Sequence, residues 1–478
     1  MLSVENLKAS THVLRAEASS KPRQTAGISK QMTRGSYNLR ITSVRELIAI
    51  PILLTCGLFT VASGQSITNY DRDAGRQMLK MIRLDIEKTY YDPNYRGIDL
   101  QERFSQADER IKNAKSNGEI FGVIAQALLD FDDSHLFFIP PSRVAKVEYG
   151  WQVQAVGDKC YVVAVKPGSD AEAKGLKRGD QILSIDGFTP TREVLWKMQY
   201  YYYTLRPKPG MRLVVQSPDG APRQLDVLAK IQQGKKQLDL TSWAGDVPNL
   251  EVEAENQAHL NRDRFYESDD VIVWKMPGFD IYDERELDNI MDRVKKHRAL
   301  ILDLRGNGGG LVVMLKRLIG YFFEQDIKVS DLKYRKEVKT EVAETKANRG
   351  FRGKVVVLID GRSASASEIF ARVIQLEKRG IVVGDVSAGA VMQSQQYGHQ
   401  VGLETVSIYG ASITNADVIM KDGKSLEHVG VIPDEVLLPN ASDLAANRDP
   451  VLARAAELVG LKLNTEAAGK LFPIEWKK

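Results

Sequence analysis

The sequence predicts an α/β core at 235–462, preceded by a helical region at 68–146 and an inserted β-rich domain at 147–233. Three observations carry this. From about residue 268, strand-length apolar runs alternate with helix-length amphipathic segments, the pattern of parallel strands joined by helices. Residues 68–130 place apolar side chains at helical spacing. Residues 147–233 switch to short alternating strands punctuated by glycine turns. The 43% apolar and 27% charged composition is that of an ordinary globular protein. A chain of 478 residues suffices for roughly two to four domains.

The net charge of +4 belongs to the first segment. Residues 1–64 hold eight Lys/Arg against three Asp/Glu, so the remainder sums to −1 and implies no basic face for nucleic acid. Arg34, Arg40 and Arg45 precede the apolar run Leu47 to Phe59, and Val61-Ala62-Ser63-Gly64-Gln65 follows with small residues where cleavage reads them. Residues 1–64 therefore read as an export leader, with Met32 as an alternative start. The run is short for a membrane span, and Thr55 before Cys56 makes a poor lipid-attachment box. The expected location is periplasmic or extracellular, with no stable membrane span once the leader is cut. Cys160 is then the lone cysteine, so no intrachain disulfide is expected.

In order along the chain, Tyr70 to Tyr91 and Ile120 to Leu129 read as helices, and the acidic run from Asp130 with Pro140-Pro141 forces a loop. Cys160 to Val165 reads as a strand, Asp170 to Ala173 as a short helix ended by Gly175, and Gln181 to Ile185 as a half-buried strand. Residues 235–265 form a polar connector. The core then runs Val271 to Met276, Asp283 to Lys296, Ala299 to Leu304, Val312 to Phe323, Val355 to Ile359, Ser365 to Leu376 and Ile381 to Val383. Charge alternation at 326–353 suggests an exposed hairpin or flap, and Pro450 to Val459 a helix packed on the outside.

Two segments carry chemistry. The strand Val355 to Ile359 enters an Asp360-Gly361 turn and then the small hydroxyl run Ser363-Ala364-Ser365-Ala366-Ser367-Glu368, which opens a helix. A serine at a helix N-terminus meets free N–H groups and a dipole that favours negative charge, as an acyl-transfer nucleophile requires. The plainer reading is a Ser365/Glu368 capping box that merely starts the helix. The strand Ala299 to Leu304 and Arg305 lead into Gly306-Asn307-Gly308-Gly309-Gly310, whose glycines let the backbone approach a ligand and aim N–H groups at an oxyanion. These glycines lack the spacing of a dinucleotide fingerprint, and no Gly-Lys-Ser/Thr follows. Without His-x-x-x-His or Cys-x-x-Cys spacing, no metal or cofactor is expected.

Gly179-Asp180-Gln181-Ile182-Leu183-Ser184-Ile185-Asp186-Gly187 resembles the signature of a PDZ domain, a fold that takes an extended peptide as an added strand. Together with the leader, the Asp303-Leu304-Arg305-Gly306-Asn307-Gly308-Gly309-Gly310 segment and Ser363 to Glu368, the chain from about 70 to 460 resembles the C-terminal-processing (tail-specific) serine peptidases, whose superfamily includes relatives of the tricorn protease core. The resemblance implies ClpP/crotonase-like α/β layers and endopeptidase activity on protein or peptide substrates near their C-terminal tails. It aligns Ser365, the middle serine, with the nucleophile, Ala366 with one oxyanion donor, and Gly309 or Gly310 with the other.

The base departs from the processing peptidases. Their lysine position is Ala390 within Gly384-Asp385-Val386-Ser387-Ala388-Gly389-Ala390-Val391. The tricorn-like branch instead uses a serine-preceded histidine and a glutamate near the C-terminal end, which here implies His135, Ser134 and Glu427. His428 and His399 are rival bases, a relocated Lys421 or Lys424 is a Ser-Lys alternative, and Asp133 and Ser134 could simply cap a turn. A catalytically inactive peptide- or ligand-binding relative is the competing function, and the oligomeric state stays open.

Overall fold

The computed structural model describes residues 67–476, apart from 143–144, 234–261, 281–282 and 403–405. The leader at 1–64 and nearly all of the connector at 235–265 lie outside the described residues.

Three helices open the described chain. α1 (Asn69–Thr89) starts at a reciprocal cap in which Thr68 and Asp71 each accept the other's backbone N–H. It buries Met78, Leu79, Ile82 and Ile86 at helical spacing. α2 (Leu100–Lys112) escapes the sequence reading because only Leu100, Phe104, Ala107 and Ile111 turn inward, a thin stripe in a charged segment. α3 (Asn117–Leu129), capped by Ser116, runs into the acidic loop and then β1 (Phe137–Ile139).

The β-rich domain is inserted through a neck in which β2 (Ala145–Glu148) pairs antiparallel with β8 (Lys230–Gln233). Inside, β3 (Trp151–Val156), β4 (Lys159–Val165), β5 (Gln181–Ile185), β6 (Gly210–Gln216) and β7 (Arg223–Leu228) form one antiparallel sheet around Trp151, Val162, Ile182 and Leu213. α4 (Asp170–Ala173) and α5 (Arg192–Gln199) belong to it, and α5 continues into a wide π-type turn at Tyr200–Leu205.

The α/β core holds β9 (Arg264–Ser268), β10 (Val271–Lys275), β11 (Ala299–Asp303), β14 (Lys354–Ile359), β15 (Ile381–Gly384) and β18 (Glu435–Val436). Their spatial order is β18-β15-β14-β11-β10-β9, parallel except for the edge strand β9. Leu300, Ile301, Val356 and Val357 are buried on both faces, which is why such strands read as unbroken apolar runs. α6 (Glu284–Val294), α7 (Val312–Gly320) and α8 (Ala366–Leu376) pack on one face. Beyond α9 (Ala441–Ala445), the other face is covered by α10 (Pro450–Leu458) and α11 (Thr465–Leu471). α11 contributes Ala468 to the core, so the domain continues past the expected boundary at 462.

A second sheet joins helical region to core. β17 (Ser407–Met420) pairs with β1 near its start and with β12 (Ile327–Tyr334) near its end, while β16 (Met392–Val401) runs beside it. β12 forms the expected hairpin with β13 (Val338–Ala343), but it is an inner strand with Ile327, Val329 and Leu332 buried, so it is no flap.

Candidate active site

The three serines after β14 separate by burial. Ser363 and Ser367 are fully buried, and their hydroxyls donate to Leu304 O and Asn307 O, both at 2.9 Å. Ser365 is only partly buried and stands at the start of α8 in a capping-box arrangement with Glu368. Its backbone is held at φ 55°, ψ −117°, a left-handed conformation that costs a serine about 1–3 kcal/mol and persists only where the surroundings enforce it. The enforcement is visible: Ser365 N–H donates to Ala390 O (2.9 Å) and to Glu368 Oε2 (3.0 Å). The next N–H, that of Ala366, is the first of α8 and has no intrahelical partner.

The glycine loop lies against this turn. A Cβ on Gly309 would sit 2.7 Å from Ser365 Cβ and 3.0 Å from Ala366 N, and its φ is +97°. Gly309 N–H, however, donates to Asn307 Oδ1 at 2.9 Å. Gly310 is exposed, and its N–H has no partner among the described residues. Asn307, fully buried, ties the two segments by donating to Met276 O and accepting from Ala364 N–H and Ser367 Oγ.

The third segment is the loop between α3 and β1. Ser134 N–H donates to Glu427 Oε1 (2.8 Å), Ser134 Oγ–H to Glu427 Oε2 (2.8 Å), and Ser134 Oγ lies 2.8 Å from His135 Nδ1. A hydroxyl that donates to the carboxylate must accept from the imidazole, so Nδ1 carries the proton and Nε2 is left with its lone pair. Glu427 Oε2 also accepts from Val391 N–H at 2.9 Å, one residue beyond the Ala390 that binds Ser365. Hydrogen bonds thus link Ser134, His135 and Glu427 to one another and, through Val391 and Ala390, to the turn of Ser365 against which Gly309 packs, while among the described residues none joins His135 to Ser365 directly. Burial lowers the His135 pKa from its ordinary value, with Glu427 and Asp133 pulling it back up.

Several partners were not legible as such. Asp133, read as a turn cap, is a buried carboxylate accepting from His135 N–H (3.0 Å), Tyr90 O–H (2.9 Å) and Thr414 Oγ1–H (2.6 Å). Glu368 caps Ser365 as expected but also accepts from Ser387 Oγ, Gly389 N–H and Ala390 N–H. Full burial pushes its carboxyl up to about 7 despite these donors. The helix-start pattern announced one of its four bonds, and only folding supplies the others.

The rivals lie elsewhere or act differently. Lys421 pairs with Glu377 at 2.7 Å, beyond the far end of α8, and Lys424 is exposed in the same turn. An 11-residue helix is about 16 Å long, which removes Lys421 from the serine. His399 is engaged with Asp85 of α1 at 2.6 Å, and His428 Nε2 with Asp132 O at 2.8 Å. Among the described residues no cluster of His, Cys, Asp and Glu could hold a metal ion.

The inserted domain touches the same loop. Arg192 of α5 pairs with Asp385 and donates to Val386 O (3.0 Å), just upstream of Ala390. Gln199 donates to Val153 O on the open edge of β3 at 3.4 Å.

Residues 270–437 match the model of peptidase family S41, and residues 143–195 match the PDZ domain. The tail-specific protease of Haemophilus influenzae is 26% identical over 356 residues, covering 70% of this chain and 48% of that protein. This chain thus spans about half the length of that relative. The carboxyl-terminal-processing protease of Picosynechococcus sp. is 24% identical over 340 residues, covering 68% and 74%. Among solved structures, mature CPAF superposes with a TM-score of 0.59 at 16% identity, covering 78% of this chain and 94% of that one. CPAF complexed with lactacystin superposes with a TM-score of 0.57, also at 16% identity, covering 78% and 95%. The α/β core thus matches the model of peptidase family S41 over residues 270–437, with a PDZ match ahead of it, and the chain is similar to carboxyl-terminal-processing serine proteases.

Proposed function

We propose that the protein is an exported endopeptidase with a Ser-His site, cutting protein or peptide substrates near their C-terminal tails. Ser365 Oγ attacks the scissile carbonyl carbon while its proton passes to the bare Nε2 of His135. The carbonyl oxygen becomes an oxyanion between the N–H groups of Ala366 and Gly310, the glycine whose N–H is not already spent. Collapse breaks the C–N bond, and the leaving amine takes the proton from Nε2. Water then attacks the acyl-enzyme, gives its proton to the same nitrogen, and the proton returns to Ser365 as the acid leaves. Ser134 relays the Glu427 charge to His135 Nδ1–H, the orienting part of a triad played by two residues.

The observation that supports this reading is the chain Glu427–Ser134–His135, tied by Val391 N–H to the residue next to Ala390, whose carbonyl holds the strained Ser365 turn. Resemblance to processing peptidases supports tail-directed cleavage, with the PDZ domain capturing the tail on the β3 edge. The leader supports export, and among the described residues no helix is long and apolar enough to cross a membrane.

The test is cleavage of an unstructured protein together with fluorophosphonate labelling. Wild type labels at Ser365, Ser365→Ala does not, and His135→Ala labels far more slowly. Ala390 at the lysine position favours one second reading, an inactive peptide binder. A wild type inert in both assays, yet binding C-terminal peptides, establishes it.

A further inference from the structure

We infer that Arg96 and His428 are positioning residues that clamp the base loop from two sides; this rests on the Ser-His reading above. His428 Nε2 lies 2.8 Å from Asp132 O, and Arg96 Nη1 donates to the same oxygen and to Phe131 O at 3.3 Å. A carbonyl oxygen has two lone pairs and only accepts, so one oxygen takes both donors, and His428 carries its proton on Nε2. Arg96 comes from the α1–α2 connector, Asp132 from the segment that continues into Ser134 and His135, and His428 directly follows Glu427. The clamp therefore joins the two arms of the relay, with His428 Nε2 also 3.6 Å from Glu427 Oε1.

The backbone supports a dedicated role. Tyr95, Arg96, Asp132 and His428 have φ of 51°, 53°, 51° and 60°, four of the ten non-glycine residues in the left-handed region among those described. Such side chains hold that conformation only where their surroundings require it, and here Arg96, Asp132 and His428 meet at one carbonyl, with Tyr95 directly before Arg96. Arg96 is fixed at its root, since its N–H donates to Asp92 Oδ2 at 2.8 Å. Its guanidinium also serves the carbonyls just past the end of α3, where a cation is favoured.

The contacts spare substrate, so the expected effect is on geometry and turnover. A misplacement near 1 Å costs on the order of 100-fold, so Arg96→Met and His428→Asn are each expected to lower kcat up to about that much with KM little changed. Arg96→Lys, which retains one donor, recovers part of the loss. The activity-independent readout is the Nδ1–H resonance of His135 in full-length 15N-labelled protein, assigned by its loss in His135→Gln. Loss or broadening of that signal in variants with unchanged melting temperatures supports the clamp. An unchanged signal in Arg96→Met and His428→Asn overturns it, whatever their activity. An inert wild type whose His135 signal still responds to both substitutions refutes the peptidase reading and leaves the clamp standing. Should Arg96→Met fail to fold, Arg96→Lys and His428→Asn decide the matter in the same way.

Discussion

Replacing Glu427 by glutamine isolates the charge of the relay while keeping its shape. Two contacts of 2.8 Å link Glu427 Oε2 through Ser134 Oγ to His135 Nδ1. The carboxylate therefore lies within about 5.6 Å of the imidazole, where opposite unit charges interact by about 3 kcal/mol at an effective dielectric near 20. Glu427 is 8% exposed, so solvent screens it little. The imidazolium formed in the transition state loses this stabilisation, and at about 1.4 kcal/mol per factor of ten kcat falls on the order of 100-fold. Glutamine must also turn its NH2 toward at least one of the donors Ser134 N–H, Ser134 Oγ–H and Val391 N–H, lowering stability by about 1–3 kcal/mol. The pH profile carries a separate signature. Glu427 raises the His135 pKa against the larger lowering by burial, so its removal moves the acid limb of kcat/KM to lower pH even as the plateau drops. Steady-state cleavage of a fluorogenic peptide between about pH 5 and 9 reads both quantities. Activity within about threefold of wild type and an unmoved limb would refute the relay, because a carboxylate at this distance cannot be silent toward an imidazolium.

In wild type the acid limb of kcat/KM is expected below the ordinary imidazole value of about 6.5, since burial disfavours the protonated ring; an alkaline limb alone would point to an amine base. Gly309→Ala is expected to slow fluorophosphonate labelling of Ser365 and lower the melting temperature, because the new methyl would sit 2.7 Å from Ser365 Cβ and 2.9 Å from Ala364 O. Wild-type labelling kinetics would show that the loop yields without moving the serine. Glu368→Ala leaves three backbone N–H groups and the Ser387 hydroxyl without their acceptor, at about 1–3 kcal/mol each where they stay buried, so the unfolding free energy from urea melts should fall by several kcal/mol and the midpoint with it. A midpoint within error of wild type would show that water replaces the carboxylate. Glu368 also sets a pH trend: its folded pKa of about 7 exceeds the ordinary 4.5, so its contribution to stability is full below 4.5 and fades as pH rises to about 7.

Legibility followed the range of the forces involved. The parallel strands were readable because burial on both faces leaves continuous apolar runs, as in Val355 to Ile359. β16 was not, since an edge strand reading Gln393-Ser394-Gln395-Gln396 has no apolar face to announce it. Ser365 stood out by its turn-to-helix setting and was picked from the three serines by resemblance, and the structure sets it apart from Ser363 and Ser367 by its lesser burial and its positive φ. His135 and Glu427 were identified by resemblance, whereas Asp133, Tyr90 and Thr414, which hold the His135 backbone, carry no local pattern at all.

Local chemistry thus specifies the parts: a strand that must be buried, a turn that only glycines allow, a helix start that welcomes negative charge. These depend on neighbours within a few residues, and the chain order states them. Which nitrogen of His135 holds the proton, which glycine keeps a free N–H, and whether a lysine is needed depend on hydrogen bonds between groups up to 293 positions apart. Such bonds have no signature along the chain, because each exists only once packing has brought its donor and acceptor within 3 Å.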